Sequence, residues 1–383
     1  MTRYVVRRLA QNLLTFFMFL TMIYLLLDAQ PGDYGNLWLN DPRLTPAQRQ
    51  TMRASLGLDK PVLERYGLWL RNVASGDFGI SFSNYPKPVL TVIAERAPRT
   101  IVLFLSATIL AYYLGFLMGK ILAWKRGGAI EYGTTVVGVS LYTVFLPWFA
   151  LMMVWLFAYT LDIFPIGKFI DPVIWRKAPI GANDVFHRML LTGFIASSII
   201  FILSIFTRRL NPRQRMPAMW AGVAALFLGV IGYWASTGIS KYALDILHHL
   251  ALPIGTLGIV NFAGIMLLTR NSMLETQRED YIMTARAKGL PDKVVRDRHA
   301  ARNALLPVAT SFILSIAFVL DGGVITETIF SWPGLGLTLL QAALHQDIPM
   351  VIGALVFTGI LALTGHLVAD ILYAFLDPRI RYS

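Results

Sequence analysis

The chain contains no cysteine among its 383 residues. A disulfide framework and a thiol redox site are therefore excluded. Charge is scarce as well: Asp, Glu, Lys and Arg make up 15% of the residues, against about 25% in ordinary soluble domains. Apolar residues make up 56%, and uncharged runs of about 18 residues or more recur, each long enough to cross a bilayer. Because a segment in lipid must satisfy its own backbone hydrogen bonds, the sequence predicts an all-α, polytopic membrane protein.

We predict about eight transmembrane helices. Their approximate positions are residues 9–27, 100–123, 132–160, 188–206, 217–237, 249–270, 305–326 and 349–375. The basic N-terminus before the first run is typical of a signal peptide, but the run is long and Asp28–Pro31 lacks the small-x-small cleavage pattern. We therefore expect residues 1–27 to form an uncleaved first membrane helix.

Basic residues indicate the orientation. With the N-terminus inside, the cytoplasmic segments contain 20 of the 34 Lys and Arg residues and only eight acids. That excess equals the formal net charge of the whole chain, +12, as the positive-inside bias predicts. Both termini are thus expected in the cytoplasm, and the basic composition requires no nucleic acid as a partner.

Residues 28–98 form the largest predicted external piece. Thr45–Gln48 has a capping-box pattern, and Gly57 suits the end of the helix that it would start. A second helix is expected after Pro61. We expect an external helical cap, which is either a spacer over the outer mouth or a docking surface.

Nucleotide and metal sites are not predicted. Gly115 and Gly119 followed by Lys120 come nearest to a phosphate-binding loop, but they are one residue short of its spacing and lack its Ser or Thr. They lie in an apolar run, where Lys120 is expected to extend to the cytoplasmic interface. His248 and His249 are neighbours that point about 100° apart on a helix.

Other ionisable groups are equally isolated. His345 and Asp347 lie in a predicted external loop without further ligands nearby, and Asp321, His366 and Asp370 fall in or beside spans. Asp321 is either part of a helix break that lines a pathway or a buried cap. Ion-coupled carriers need ionisable groups within the membrane, and these form no relay. Energy for transport would therefore have to come from another subunit.

One polar stretch lies between two apolar runs; we call residues 271–305 the polar segment. A short helix is expected over Asp280–Lys288, with Gly289 as a left-handed residue after it. Pro291 would start a second short helix towards Asn303. The alternative is a solvated basic loop or one lying on anionic lipid, but Ala285 and Ala287 favour close approach to another backbone.

The polar segment resembles the EAA-type coupling loop of permease subunits of binding-protein-dependent ABC importers, in particular the oligopeptide and dipeptide branch. The resemblance rests on the letters TARAKGL and RHAARNALLPV. The Glu-Ala-Ala positions of the general motif fall on Met283, Thr284 and Ala285, so two of the three depart from it, as the peptide branch commonly does. Further similarities occur at Pro31–Asp33, Leu56–Pro61, Gly76–Gly79, Glu327–Gly336 and Asp377–Arg381.

The resemblance covers about 1–165 and 245–383. It implies a permease core at 99–165 and 245–383, with a coupling loop at 271–305. Residues 176–241 do not match and contain two extra apolar runs. We interpret 176–241 as an inserted transmembrane hairpin at the periphery of a six-helix core.

The resemblance also implies a function. This chain would be a transport subunit without catalytic residues or a cofactor of its own, in a bacterial or archaeal inner membrane. Its partners would be a second homologous permease subunit, two ATPase subunits that bind ATP and Mg, and an external substrate-binding protein. The residues expected to couple it to the ATPases are Thr284, Ala285, Arg286, Ala287, Lys288, Gly289, His299 and Arg302. Solutes other than peptides, such as an oligosaccharide or a nickel complex, remain open, as do a stand-alone carrier and a membrane scaffold.

Overall fold

The computed structural model describes residues 2–29, 45–47, 50, 60–125, 127–319 and 323–376. Within these ranges the regular structure is helical, apart from one isolated bridge between Ile80 and Pro88. The expected helix between Thr45 and Gly57 lies largely outside the described residues, and Asp321 lies outside them.

The helices have the following bounds: α1 (Thr2–Asp28), α2 (Val62–Ala74), α3 (Val89–Trp124), α4 (Ala129–Thr143), α5 (Leu146–Met153), α6 (Pro172–Trp175), α7 (Ala182–Thr207), α8 (Pro212–Ser236), α9 (Ser240–Thr276), α10 (Asp280–Ala287), α11 (Asp292–Val294), α12 (Ala301–Val319), α13 (Val324–Ile329), α14 (Leu335–Leu344) and α15 (Ile348–Leu376). Two π-helical stretches, Val154–Thr160 and Val295–Ala300, follow α5 and α11.

Six of these helices are long and apolar enough to cross a membrane, so the predicted class is confirmed for the part of the chain that the structure describes. The count rises to seven if α4 and α5, with its π-helical end, form one span. This pair corresponds to the predicted span at 132–160, and the expectation of one unbroken helix there is wrong, because the two parts are bent by 108°. The break is explained by Pro147 in the first turn of α5, because proline has no N–H to donate to the carbonyl four residues earlier, that of Thr143, where α4 ends. The count of eight stays a prediction.

The chain divides into two compact units, Met1–Val154 with Pro253–Ser383, and Trp155–Leu252. In the first unit α1 packs along α15. Asn12 Nδ2 donates to the carbonyl of Leu363 over 3.1 Å, and Arg8 Nε lies 3.4 Å from Asp370 Oδ2. The carboxylate of Asp370 thus pairs with a basic side chain of the first helix.

The helix expected after Pro61 is confirmed as α2. Arg65 Nη2 lies 3.0 Å from Asp28 Oδ1, and the hydroxyls of Thr21 and Tyr66 are 2.7 Å apart. These contacts fasten α2 to the end of α1.

Helix α3 begins at Val89, earlier than the predicted start near residue 100, and continues through Pro98. It crosses α9 at two glycines. A methyl group at Gly115 would lie 2.7 Å from Cβ of Ile265, and one at Gly119 would lie 2.6 Å from Cβ of Thr269. Both distances are below normal van der Waals contact, so the glycines let the two helices approach closely, as small residues do in membrane helix pairs.

The second unit contains the stretch predicted as an inserted hairpin. Its helices α7 and α8 pack against each other, and no residue is buried in the most apolar window of either helix. Such a surface suits contact with lipid. The position of this hairpin relative to a six-helix core stays a prediction.

A cavity of about 420 Å³ also lies within the second unit, lined in part by Asp162, Lys168, Asp245 and the two neighbouring histidines. The carboxylate of Asp245 is occupied by Trp175 Nε1 at 2.7 Å and by the backbone N–H of Asp171 at 3.1 Å. It therefore fastens the loop around α6.

Candidate functional site: the polar segment

The first part of the polar segment is the helix α10, which ends at a left-handed residue. Gly289 has φ +73°, and its N–H donates to the carbonyl of Arg286 over 2.9 Å. A Cβ atom at this position would meet nothing within 4 Å. The predicted left-handed glycine is confirmed, and the backbone dihedral, not lack of space, is what requires glycine here.

The second part differs from the prediction. Pro291 precedes α11, as expected, but the helical path does not end near Asn303. It passes through the π-helical stretch Val295–Ala300 and continues as α12 to Val319. The chain has no Gly or Pro between Pro291 and Pro307 to stop it. The polar segment is thus joined to a long apolar helix without a break.

A small hydrophobic core lies beneath the segment. Its buried residues are Ala123, Met273, Ile282, Ala285, Val295, Ala300, Ala301 and Ala304. Ala285 is therefore small because it packs against its own chain, which accounts for it without a neighbouring subunit. Ala287 is exposed and is not part of this core.

An ion pair fastens the segment to α3. Lys120 Nζ lies 3.1 Å from Asp297 Oδ1, so this lysine has a specific partner instead of only extending to an interface. Arg296 donates to both oxygens of the same carboxylate, from Nε at 2.9 Å and from Nη2 at 3.1 Å. The hydrogen bonds from Arg296, and then that from Lys120, lower the pKa of Asp297 to about 2. Asp297 is therefore ionised at any physiological pH.

Further contacts hold the surrounding helices. Gln277 Nε2 donates to the carbonyl of Ala123 over 3.0 Å, and the guanidinium of Arg286 lies 5.2 Å from the ring centre of Trp124. Arg270 donates to the carboxylate of Glu131, which lies in the first turn of α4. The polar segment is thus a folded surface and not a loose basic loop.

Most of the predicted coupling residues are exposed. Those that are exposed are Thr284, Arg286, Ala287, Lys288, Gly289 and Arg302. His299 is half-buried, and Ala285 is buried in the core. The exposed set has three cations and a left-handed corner, so it can receive an acidic or polar partner surface by charge and shape.

Comparison with known proteins decides the family. Residues 111–382 match the family described as binding-protein-dependent transport system inner membrane component, and residues 1–104 match its N-terminal counterpart. The chain belongs to this permease family. The resemblance found in the sequence and the expected inner-membrane location are thereby confirmed.

Relatives of this permease are similar over the full length of both chains. They include the oligopeptide transport system permease protein AppB of Bacillus subtilis (strain 168), 31% identical, and the dipeptide transport system permease protein DppB of Escherichia coli (strain K12), also 31% identical. The di/tripeptide transport system permease protein DppB of Pseudomonas aeruginosa (strain UCBPP-PA14) is 32% identical.

Sequence reasoning missed one anchor of the permease. Asp347, expected in an isolated loop, is fully buried. Its Oδ2 accepts from Ser81 Oγ at 2.6 Å and from the N–H of Ser83 at 2.8 Å, and its Oδ1 accepts from the N–H of Met350 at 3.2 Å. Ser81 and Ser83 are distant from Asp347 in the sequence, so these hydrogen bonds had no local signal. The one signal of a structural role was the position of Asp347 immediately before a helix, because Asp favours helix N-caps.

The Gly115–Gly119 helix crossing was also missed. Its small-x₃-small pattern in an apolar run is a recognised helix-packing signal.

Proposed function

We propose that this permease is one of two transmembrane subunits of an ATP-driven importer of short peptides. The names of the relatives support peptides as the solute, because they refer to oligopeptides, dipeptides or di/tripeptides. The similarity extends over 100% of this chain and of each relative. That full-length similarity is the observation that carries the proposal.

The family description implies a separate substrate-binding protein. In the proposed importer this protein delivers the peptide to the external face. Two ATPase subunits bind ATP and Mg on the cytoplasmic face and supply the energy, while a second, homologous permease completes the pathway. This chain performs no covalent chemistry.

The polar segment is the proposed contact with an ATPase subunit. Three cations on its exposed face, Arg286, Lys288 and Arg302, would meet acidic or carbonyl groups of the partner. Gly289 would set the direction of the chain at the corner of that surface. The core under α10 and the Asp297 ion pairs hold this surface in place, so a push on it would move the helices behind it.

Reconstitution tests the proposal. The permease pair and its ATPase subunits are reconstituted in liposomes with the ATPase subunits and ATP in the lumen. The binding protein and a labelled dipeptide or tripeptide are added outside, and uptake of the peptide into the lumen is measured. We expect uptake that requires both ATP and the binding protein. Uptake by this chain alone would instead indicate a stand-alone carrier, and ATP-driven uptake of an oligosaccharide but not of peptides would overturn the solute.

A further inference from the structure

Helix α3 connects the polar segment to a second, distant element of the first unit. It runs without a break over 36 residues, Val89–Trp124. Thr100 lies about a third of the way along this helix and Lys120 near its C-terminal end, so the two are about 30 Å apart along the axis at 1.5 Å per residue. Each of these two regions is fastened by buried or half-buried polar contacts to a different part of the chain.

At the end near Thr100, the helix holds the stretch Glu327–Gly336, which we call the glycine loop. Thr100 Oγ1 donates to Glu327 Oε1 over 2.6 Å and accepts from the N–H of Leu335 at 2.7 Å. The other carboxylate oxygen of Glu327 accepts from the N–H of Leu337 at 2.8 Å. Glu327 is fully buried, and leaving a buried polar group without its hydrogen bonds is costly. One hydroxyl therefore joins the helix to both ends of the glycine loop.

The glycine loop also packs tightly against α3. Trp332 is fully buried, and its Nε1 donates to the carbonyl of Arg99 over 3.2 Å. A methyl group at Gly334 would lie 2.5 Å from Thr100 Oγ1, and one at Gly336 would lie 2.9 Å from the backbone nitrogen of Val324. Gly334 is thus needed for the loop to approach α3 this closely, and Gly336 for the start of α14 to pack against the start of α13.

At the other end, α3 is fastened to the polar segment. Lys120 pairs with Asp297 at 3.1 Å, and the carbonyl of Ala123 accepts from Gln277 at 3.0 Å. Ala123 is also part of the core beneath α10. A displacement of the polar segment therefore acts directly on the end of α3.

We infer that α3 is the rod through which movement of the polar segment reaches the glycine loop, with Lys120–Asp297 and Thr100–Glu327 as its two positioning pairs. The inference rests on the proposed function, because the ATPase subunits supply the movement. A continuous helix resists compression and bending over this length. At each end one pair joins a side chain of α3 to a carboxylate of the neighbouring element, and the other contacts described above are to backbone groups or apolar. Removing either pair should disconnect the loop from the ATP cycle while leaving the helix in place. The competing route is α12, which continues directly from the polar segment.

The experiment uses thiol labelling, since the chain has no native cysteine. Ser331→Cys places one thiol on the exposed part of the glycine loop. In the assembled complex, the labelling rate with a membrane-impermeant maleimide is measured with and without a non-hydrolysable ATP analogue. We expect the analogue to change the rate. Thr100→Val and Lys120→Met should each abolish that change, and Thr100→Ser and Lys120→Arg should preserve it.

Controls separate this role from general damage. Thr91→Val makes the same chemical change at an exposed position of α3 and should leave the response intact, and all variants should still assemble with the ATPase subunits. A response that persists in both Thr100→Val and Lys120→Met overturns the inference in favour of α12, and a rate that the analogue never changes overturns it as well. Failure of the proposed function is a separate result, because the ATPase subunits would then not co-purify with the unmodified chain.

Discussion

The corner at Gly289 permits a prediction whose magnitude follows from the backbone alone. A non-glycine residue in the left-handed region costs roughly 1–2 kcal/mol, and no neighbouring atom lies within 4 Å of a Cβ there. Gly289→Ala should therefore reduce the equilibrium constant for forming the native corner about 5- to 30-fold, since 1.4 kcal/mol is a factor of ten. Gly289→Val should have a larger effect because its branched side chain tolerates this conformation less. Gly289→Asn should have the smallest effect, because Asn tolerates the left-handed region.

The assay is peptide uptake per ATP hydrolysed in the reconstituted complex. We expect all three variants to reach the membrane, with coupling in the order Asn, Ala, Val from best to worst. Gly238→Val is the matched control, because Gly238 has φ +69° and equally open surroundings but lies outside the polar segment. It should lower stability without lowering coupling. If Gly289→Ala couples better than Gly289→Asn, the volume of the side chain against a partner decides the effect and the dihedral argument is refuted. Normal coupling by Gly289→Val would also refute it.

Three further predictions concern the rest of the chain. Gly119→Ala should destabilise the purified protein by about 1–3 kcal/mol, as overpacking does, because the added methyl would lie 2.6 Å from Thr269 Cβ. The control Gly133→Ala adds its methyl in open space and should not lower the melting temperature. Equal effects of the two substitutions would contradict the close crossing of α3 and α9. Asp347→Ala should cost about 2–4 kcal/mol in thermal unfolding, because it leaves the hydroxyl of Ser81 and the N–H of Met350, both in buried residues, without their acceptor. Asp347→Asn should cost less, and a neutral Asp347→Ala would show that this carboxylate is not an anchor. The pKa of Asp297, lowered to about 2, means that its ion pairs are present above the usual carboxylate pKa and are lost only as the pH falls towards 2. The ratio of coupling in Asp297→Asn to that in the unmodified chain should therefore stay constant between about pH 5 and 8, and a titration of this ratio near neutral pH would contradict the assigned ionisation.

The sequence was sufficient to predict the elements that depend on local physics. Uncharged runs predicted the membrane helices, and the Gly289–Pro291 pattern predicted the corner between α10 and α11, because each is determined by residues close together in the chain. The bend between α4 and α5 was missed, although Pro147 was a local signal for it. The π-helical turn before α12 has no comparable signature.

Contacts between distant residues could not be predicted. Asp347 with Ser81, Glu327 with Thr100 and Lys120 with Asp297 each join residues far apart in the sequence, and one chain gives no indication of such pairs. For the same reason Ala285 was interpreted as a surface for another subunit, whereas the structure places it in the core beneath α10.

Photo-crosslinking from one introduced cysteine shows whether the polar segment contacts an ATPase subunit. Lys288→Cys on the exposed corner and Lys60→Cys just before α2 are each labelled with a benzophenone maleimide in the isolated permease, which is then assembled with its partner subunits and irradiated. We predict a crosslinked product with the ATPase subunit from position 288 and none from position 60. An ATPase product from position 60 with none from position 288 would contradict the account.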